Sequence, residues 1–202
     1  MNALLTRTVK TILAAALITT SVAPHAMAFN AGLSKDLWSR RSQAAYMRSS
    51  EPTLAPMSWV RFCIANAGQC QGGGGDDTVT LTPDKRAAME AVNRTVNGSI
   101  RAVNYADLNA HRWSVAPTEG NCNDYAVTKR AELLRQGFPA GALRMAVART
   151  RWGEGHTVLV VRTDSGDLVM DSLRGAILPW RQTGLRWISV QSSANPGLWF
   201  RT

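Results

Sequence analysis

Beyond residue 28 the chain has no apolar run long enough to cross a bilayer, and it carries no internal repeat. A multi-span membrane protein and a solenoid are therefore excluded at the outset. Acidic residues are few, 14 against 23 Lys and Arg, for a formal charge of +9. A basic balance admits nucleic acid or anionic lipid as partner. The arginines are dispersed, however, and no basic tract is interleaved with stacking aromatics, so no nucleic-acid partner is expected. The glycine run in Gln71-Gly72-Gly73-Gly74-Gly75-Asp76-Asp77 lacks the Lys-Ser/Thr of a phosphate-binding loop and reads as a linker or loop tip. Histidine and cysteine are scarce, at three each.

What is present begins with an export signal. Arg7 and Lys10 precede an apolar stretch from Thr11 to Val22, and Ala26-Met27-Ala28 fits a small-x-small cleavage site. The expected layout is a signal peptide over 1–28, an N-terminal arm over 29–56 and a folded domain over 57–202. A periplasmic or secreted location follows, with no stable membrane span after cleavage.

In an oxidising compartment the neighbours Cys63 and Cys70 are expected to pair. Closing so short a loop stabilises a fold by roughly 2–3 kcal/mol on the chain-entropy view. Cys122 is left odd. An inert buried thiol is the plain alternative for it, but its setting argues otherwise. It stands in Gly120-Asn121-Cys122-Asn123-Asp124-Tyr125, at the start of an amphipathic segment that runs to Gln136 and is stopped by Gly137 and Pro139. Unpaired N–H groups and the positive end of a helix dipole favour thiolate at such a place.

The rest of the chain reads as helices followed by an antiparallel sheet, an α+β order. Leu33 to Met47 fits a helix, and Pro52 and Pro56 force an extended passage. Thr82-Pro83-Asp84 is a helix start. Ala88, Val92, Val96, Ile100 and Val103 then recur at helical spacing. Asn93 and Asn97 lie on the neighbouring line, as exposed or hydrogen-bonded polar groups. Asp107 to Glu119 reads as a loop holding His111, Trp113 and Pro117. Leu143 to Val147 and Thr157 to Val161 read as strands, the second of them central. Asp164-Ser165-Gly166 turns the chain into Leu168–Met170. With the tip near Ser165, Asp171 falls opposite about residue 158, on the pleat face of His156 and diagonal to it. Ile177 to Trp180, Trp187 to Val190 and Leu198 to Phe200 are further short strands.

A cysteine nucleophile needs a base, and the base needs a partner that fixes its tautomer. Cys122, His156 and Asp171 occur in that order on helix, strand and strand. Taken singly, His156 reads as structural and Asp171 as a turn former; the combination points to attack by Cys122 on a carbonyl carbon. The Cys122 backbone N–H is the natural first oxyanion donor. Asn121 and Trp113 are candidates for the second.

The stretches G-N-C-N-D-Y-A-V-T-K-R-A-E-L-L-R-Q-G-F-P, G-E-G-H-T-V-L-V-V-R-T, G-D-L-V-M-D-S-L and I-L-P-W resemble the bacterial transglutaminase-like cysteine proteinases. So do V-N-R-T-V-N, W-S-V-A-P and the pair Cys63 and Cys70. The likeness covers about Met57 to Trp199. It implies a papain/transglutaminase-like fold, a triad on Cys122, His156 and Asp171, and a protein or peptide substrate. The best-known members are periplasmic proteases that clip large surface adhesins, and the likeness leaves room for a regulatory inner-membrane partner. Some members need calcium. They carry Asp-Cys-Glu-Asp where this chain has Asn121 and Asn123 around Cys122, with only Asp124 kept. Calcium prefers several charged oxygens, so no metal or cofactor is expected. Two other functions remain at this stage: acyl transfer to an amine, as in transglutaminases, and a binding module that keeps the triad as scaffold.

Overall fold

A computed structural model describes residues 45–72, 75–105 and 112–202, and among these three α-helices and a seven-stranded antiparallel sheet form an α+β architecture. The signal segment, most of the helix expected over Leu33 to Met47, His111 and two of the four run glycines lie outside the described residues.

The helices form where their end signals stand. α1, Met57–Ala65, buries Trp59 and Phe62, and the Cys63 and Cys70 sulfurs lie at bonding distance, 2.07 Å. α2, Pro83–Ser99, starts with the Thr82 side chain accepting the Lys85 N–H and with proline in its first turn. Its inward line holds Met89, Val92 and Val96. The apolar spacing through Val103 predicts a longer helix than forms. Ile100 is already extended, and Arg101–Ala102 (β2) pairs in parallel with Glu119–Gly120 (β3), the end of the expected loop. α3, Cys122–Arg135, ends where Gly137 takes a positive φ of 78°, a turn that other residues adopt only with strain.

The sheet runs β1-β9-β8-β4-β5-β6-β7. Its strands are Pro52–Thr53 (β1), Leu143–Arg149 (β4), Gly155–Thr163 (β5), Gly166–Met170 (β6), Leu178–Pro179 (β7), Arg186–Gln191 (β8) and Trp199–Arg201 (β9). Leu143, Met145, Leu159, Val161, Leu168 and Met170 pack with the helices' Met89, Val92, Val127 and Leu133 in the main core. Alternate residues Ala146, Val158, Val160, Val169 and Val190 build a smaller cluster with Met47 on the opposite face. Both faces are thus covered, which is why β4 to β6 read as nearly continuous apolar runs.

The described part of the N-terminal arm packs on this sheet. The Met47 N–H donates to Asp167 Oδ2 at 2.7 Å, and the same oxygen accepts from Arg144 at 2.7 Å in a buried ion pair. β1 pairs with β9, setting Pro52 opposite Phe200 and Thr53 opposite Trp199. α3 lies against β5 and beside α2, so its first turn comes to the end of the sheet where β5 begins.

Candidate active site

The first turn of α3 is fixed by a reciprocal cap. Asn121 Oδ1 accepts the Asn123 N–H at 3.0 Å, and Asp124 Oδ2 accepts the Asn121 N–H at 2.8 Å. Two of the orphan donors at the helix start are satisfied in this way. Asp124 is fully buried, and its Oδ1 accepts the Ser114 N–H at 2.8 Å, which ties the preceding loop to the helix. Cys122, half-buried and not in a disulfide, is the first helical residue. Its own N–H precedes the intrahelical ladder and faces out of the helix end.

Gly120 has to be glycine for this cap to close. A β-carbon there would meet Asp124 Oδ2 at 2.6 Å and Asp124 Cβ at 2.7 Å. Asp124 is held on both oxygens and has no room to yield. Gly120→Ala is therefore expected to lower the unfolding free energy by about 1–3 kcal/mol, read by urea denaturation. Unchanged stability would mean that the cap is not rigid.

His156 opens β5, facing Ala148 of β4 across the ladder. The β5–β6 register pairs Leu159 with Met170, so Asp171, one residue past β6, falls opposite Val158. His156 Nε2 and Asp171 Oδ1 are 2.7 Å apart, with both side chains almost fully buried. Cys122 also acts on this imidazole, through a side-chain hydrogen bond and through its charge. The structure thus brings together all three residues singled out in the sequence.

Burial alone would push the imidazole towards neutrality. The hydrogen bonds and charges of Asp171 and Cys122 outweigh it and raise His156 to about 9. Burial also opposes ionisation of Asp171. Hydrogen bonds to His156 and to the Leu173 N–H, with the His156 and Lys129 charges, nevertheless hold its carboxyl below the ordinary value.

The two candidates for a second oxyanion donor differ. Trp113 is in the core beside Trp59 and Phe62, and its Nε1 is enclosed with no hydrogen-bond partner among the described residues. Asn121 spends its N–H and its Oδ1 on the cap and retains only Nδ2 for such a role.

Three residues near the site were not assigned this setting from sequence. Asp124 is a capping residue; its spacing of three from Asn121 is the signal that could have found it. Lys129 is fully enclosed, with its Nζ unpartnered among the described residues. It stands seven residues after Cys122, two turns along the same helix line. Asn97 reaches across from α2 to the Asp171 carbonyl.

The family model for the bacterial transglutaminase-like cysteine proteinases matches residues 49–202. A search of curated proteins found no match. Among solved structures, LapG of Legionella pneumophila is 24% identical, covering 60% of this chain and 71% of that one, with a TM-score of 0.49. Its calcium-bound form is 19% identical over 83% of this chain and 89% of that one, with a TM-score of 0.51, a likeness of fold.

That calcium-bound form corrects the expectation that no cofactor is used. Calcium binds a protein of this fold, so the exchange of two acids for Asn121 and Asn123 is not sufficient ground to exclude it. Both Asp124 oxygens and Asn121 Oδ1 accept backbone N–H groups.

Proposed function

The chain belongs to the bacterial transglutaminase-like cysteine proteinases and is a cysteine peptidase, and on that premise we propose that Cys122, His156 and Asp171 cleave the peptide bond. The observation that carries this reading is the 2.7 Å contact between His156 and Asp171, on an imidazole that Cys122 also acts on. His156 holds the proton of Cys122. The thiolate attacks the scissile carbonyl carbon, and the Cys122 N–H donates to the oxygen as it becomes negative. The imidazolium then gives its proton to the departing amine, leaving a thioacyl-enzyme. Water attacks the thioester, His156 takes its proton, and the acid product leaves as the thiol is restored. Asp171 keeps the imidazole oriented and favours its charged form throughout.

The substrate is a protein. With the export signal read in residues 1–28, the proposed substrate is a surface or periplasmic protein. Among the described residues no helix is long and apolar enough to cross a membrane.

Alkylation of Cys122 by iodoacetamide at pH 7, followed on the modified peptide by mass spectrometry, tests the proposal without knowledge of the substrate. His156→Ala is expected to slow it by roughly tenfold or more, because the imidazole no longer holds the proton. Equal rates in the two folded proteins would overturn the assignment. Cys63 and Cys70 serve as an internal control, protected while linked.

A further inference from the structure

Two asparagines of α2 make four hydrogen bonds that the capping of that helix does not require. Asn97 Nδ2 donates to the Asp171 carbonyl at 3.0 Å and to the Arg174 carbonyl at 3.1 Å. Asn93 Nδ2 donates to the same Arg174 carbonyl at 3.1 Å and to the Gly175 carbonyl at 3.0 Å. The residues are four apart, so both amides project from one face of the helix. Only an NH2 group can face two carbonyl oxygens, which fixes the orientation of each amide. The opposite atoms, Asn93 Oδ1 and Asn97 Oδ1, are buried and have no partner. A buried acceptor without a partner is unfavourable. These amides therefore do not serve stability alone.

Asp171 needs such support because it stands just outside the ladder. β6 ends at Met170. Beyond it, Asp171 Oδ1 accepts the Leu173 N–H at 2.9 Å as well as facing His156. That turn orders the carboxylate relative to its own loop and does not anchor the loop to the domain. Asn97 is the side chain that binds Asp171 itself to a helix of the core, through its main-chain oxygen. Asn93 grips only the residues that follow.

We propose that Asn97 is a positioning residue of the active site, holding the Asp171 main chain so that its carboxylate meets His156. The inference rests on the triad reading above. Asn93 has the lesser task of closing the loop behind it. Both sites match the N-x-S/T pattern, but amides engaged in this way are not available for glycan attachment.

The comparison of Asn97→Ala with Asn93→Ala isolates the effect, since each removes one amide and two hydrogen bonds from the same face. Thermal unfolding shows whether each variant folds and how much stability it loses. The informative readout is iodoacetamide alkylation of Cys122 from pH 6 to pH 9.5. In Asn97→Ala the rate at pH 6–7 is expected to fall by about tenfold, for loss of a group aligned within about an ångström. The rate at pH 9.5 stays near that of the parent. In Asn93→Ala the profile is expected to stay within about twofold of the parent, for loss of a bond that does not touch the site. Two folded variants with the same profile, both unchanged or both shifted equally, would overturn the proposal. If Asn97→Ala does not fold, Asn97→Ser, which keeps a shorter donor, takes its place under the same criteria. Failure of the triad reading is separately visible: the parent and His156→Ala would then already share one profile.

Discussion

Asp171→Ala is expected to lower the rate of peptide-bond cleavage by on the order of 10³-fold, and to do so through kcat. The carboxylate touches the imidazole, not the substrate, so KM should move little. Its pH dependence carries more information. His156 is raised to about 9 against the cost of burial by Asp171 and Cys122 together. A group raised in this way keeps its proton across neutral pH and loses it as pH climbs through about 9, so activity needing the imidazolium falls on that limb. Without Asp171, one of the two groups that support the charge goes, and the limb moves down by about one unit or more. Asp171→Asn should fall between the two, because its Oδ1 can still accept from Nε2 although the charge is gone. Cleavage of an unfolded protein and alkylation of Cys122, each from pH 6 to pH 10, would check this. An unshifted limb in a folded Asp171→Ala protein would remove Asp171 from the mechanism.

The second large effect is on stability. Lys129 is fully enclosed, and burial lowers it from 10.5 to about 7, only partly relieved by the Asp171 charge. The unfolded chain holds that proton up to about pH 10.5 and the folded chain releases it from about pH 7. Stability contributed by this group therefore rises with pH across that window, by on the order of 4–5 kcal/mol in all. His156 does the reverse. Its stabilisation is full below about 6.5 and is lost as pH rises through about 9, on the order of 3 kcal/mol. Between pH 7 and 9 the two oppose each other, and the parent protein should show a nearly flat profile. Lys129→Met, of similar length and without charge, is expected to gain on the order of 4 kcal/mol at pH 7, the burial penalty with the relief from Asp171 already included. Its stability should then decline towards pH 9, since only the His156 contribution remains. Urea unfolding at three pH values reads both features. A variant less stable than the parent at pH 7 would show that the Lys129 charge is compensated in the fold.

Elements whose signals are local were legible in the sequence. Thr82 and Pro83 start α2 as read, Cys122 and Gly137 bracket α3, and the Asp164–Ser165 tip gives the register that brings Asp171 to His156. The closeness of Cys63 and Cys70 and the buried Trp59 and Phe62 belong with these. What escaped is settled by partners distant in sequence. Ile100 leaves the helix because β2 has β3 to join, although the apolar spacing continues. Pro52–Thr53 becomes a strand only because β9 offers an edge. In the sequence Asn97 reads as an ordinary helix polar residue, and Lys129 is not singled out. Their surroundings come from the loop after β6 and from the packing of α3 on the sheet. The calcium reading erred in a different way, by treating a count of carboxylates as sufficient.

The pairing of β1 with β9 has a topological consequence. The Ser50 N–H donates to the Arg201 carbonyl, and the Arg201 N–H donates to the Glu51 carbonyl, at 2.8 and 2.9 Å. Two stretches some 150 positions apart in the chain are thus bonded main chain to main chain. A linker of a few residues would join them without disturbing the sheet. The polypeptide could then be opened elsewhere, at the exposed Asp164–Ser165 tip for instance, with the same strands in the same order in space. The continuity that matters to this fold is therefore circular.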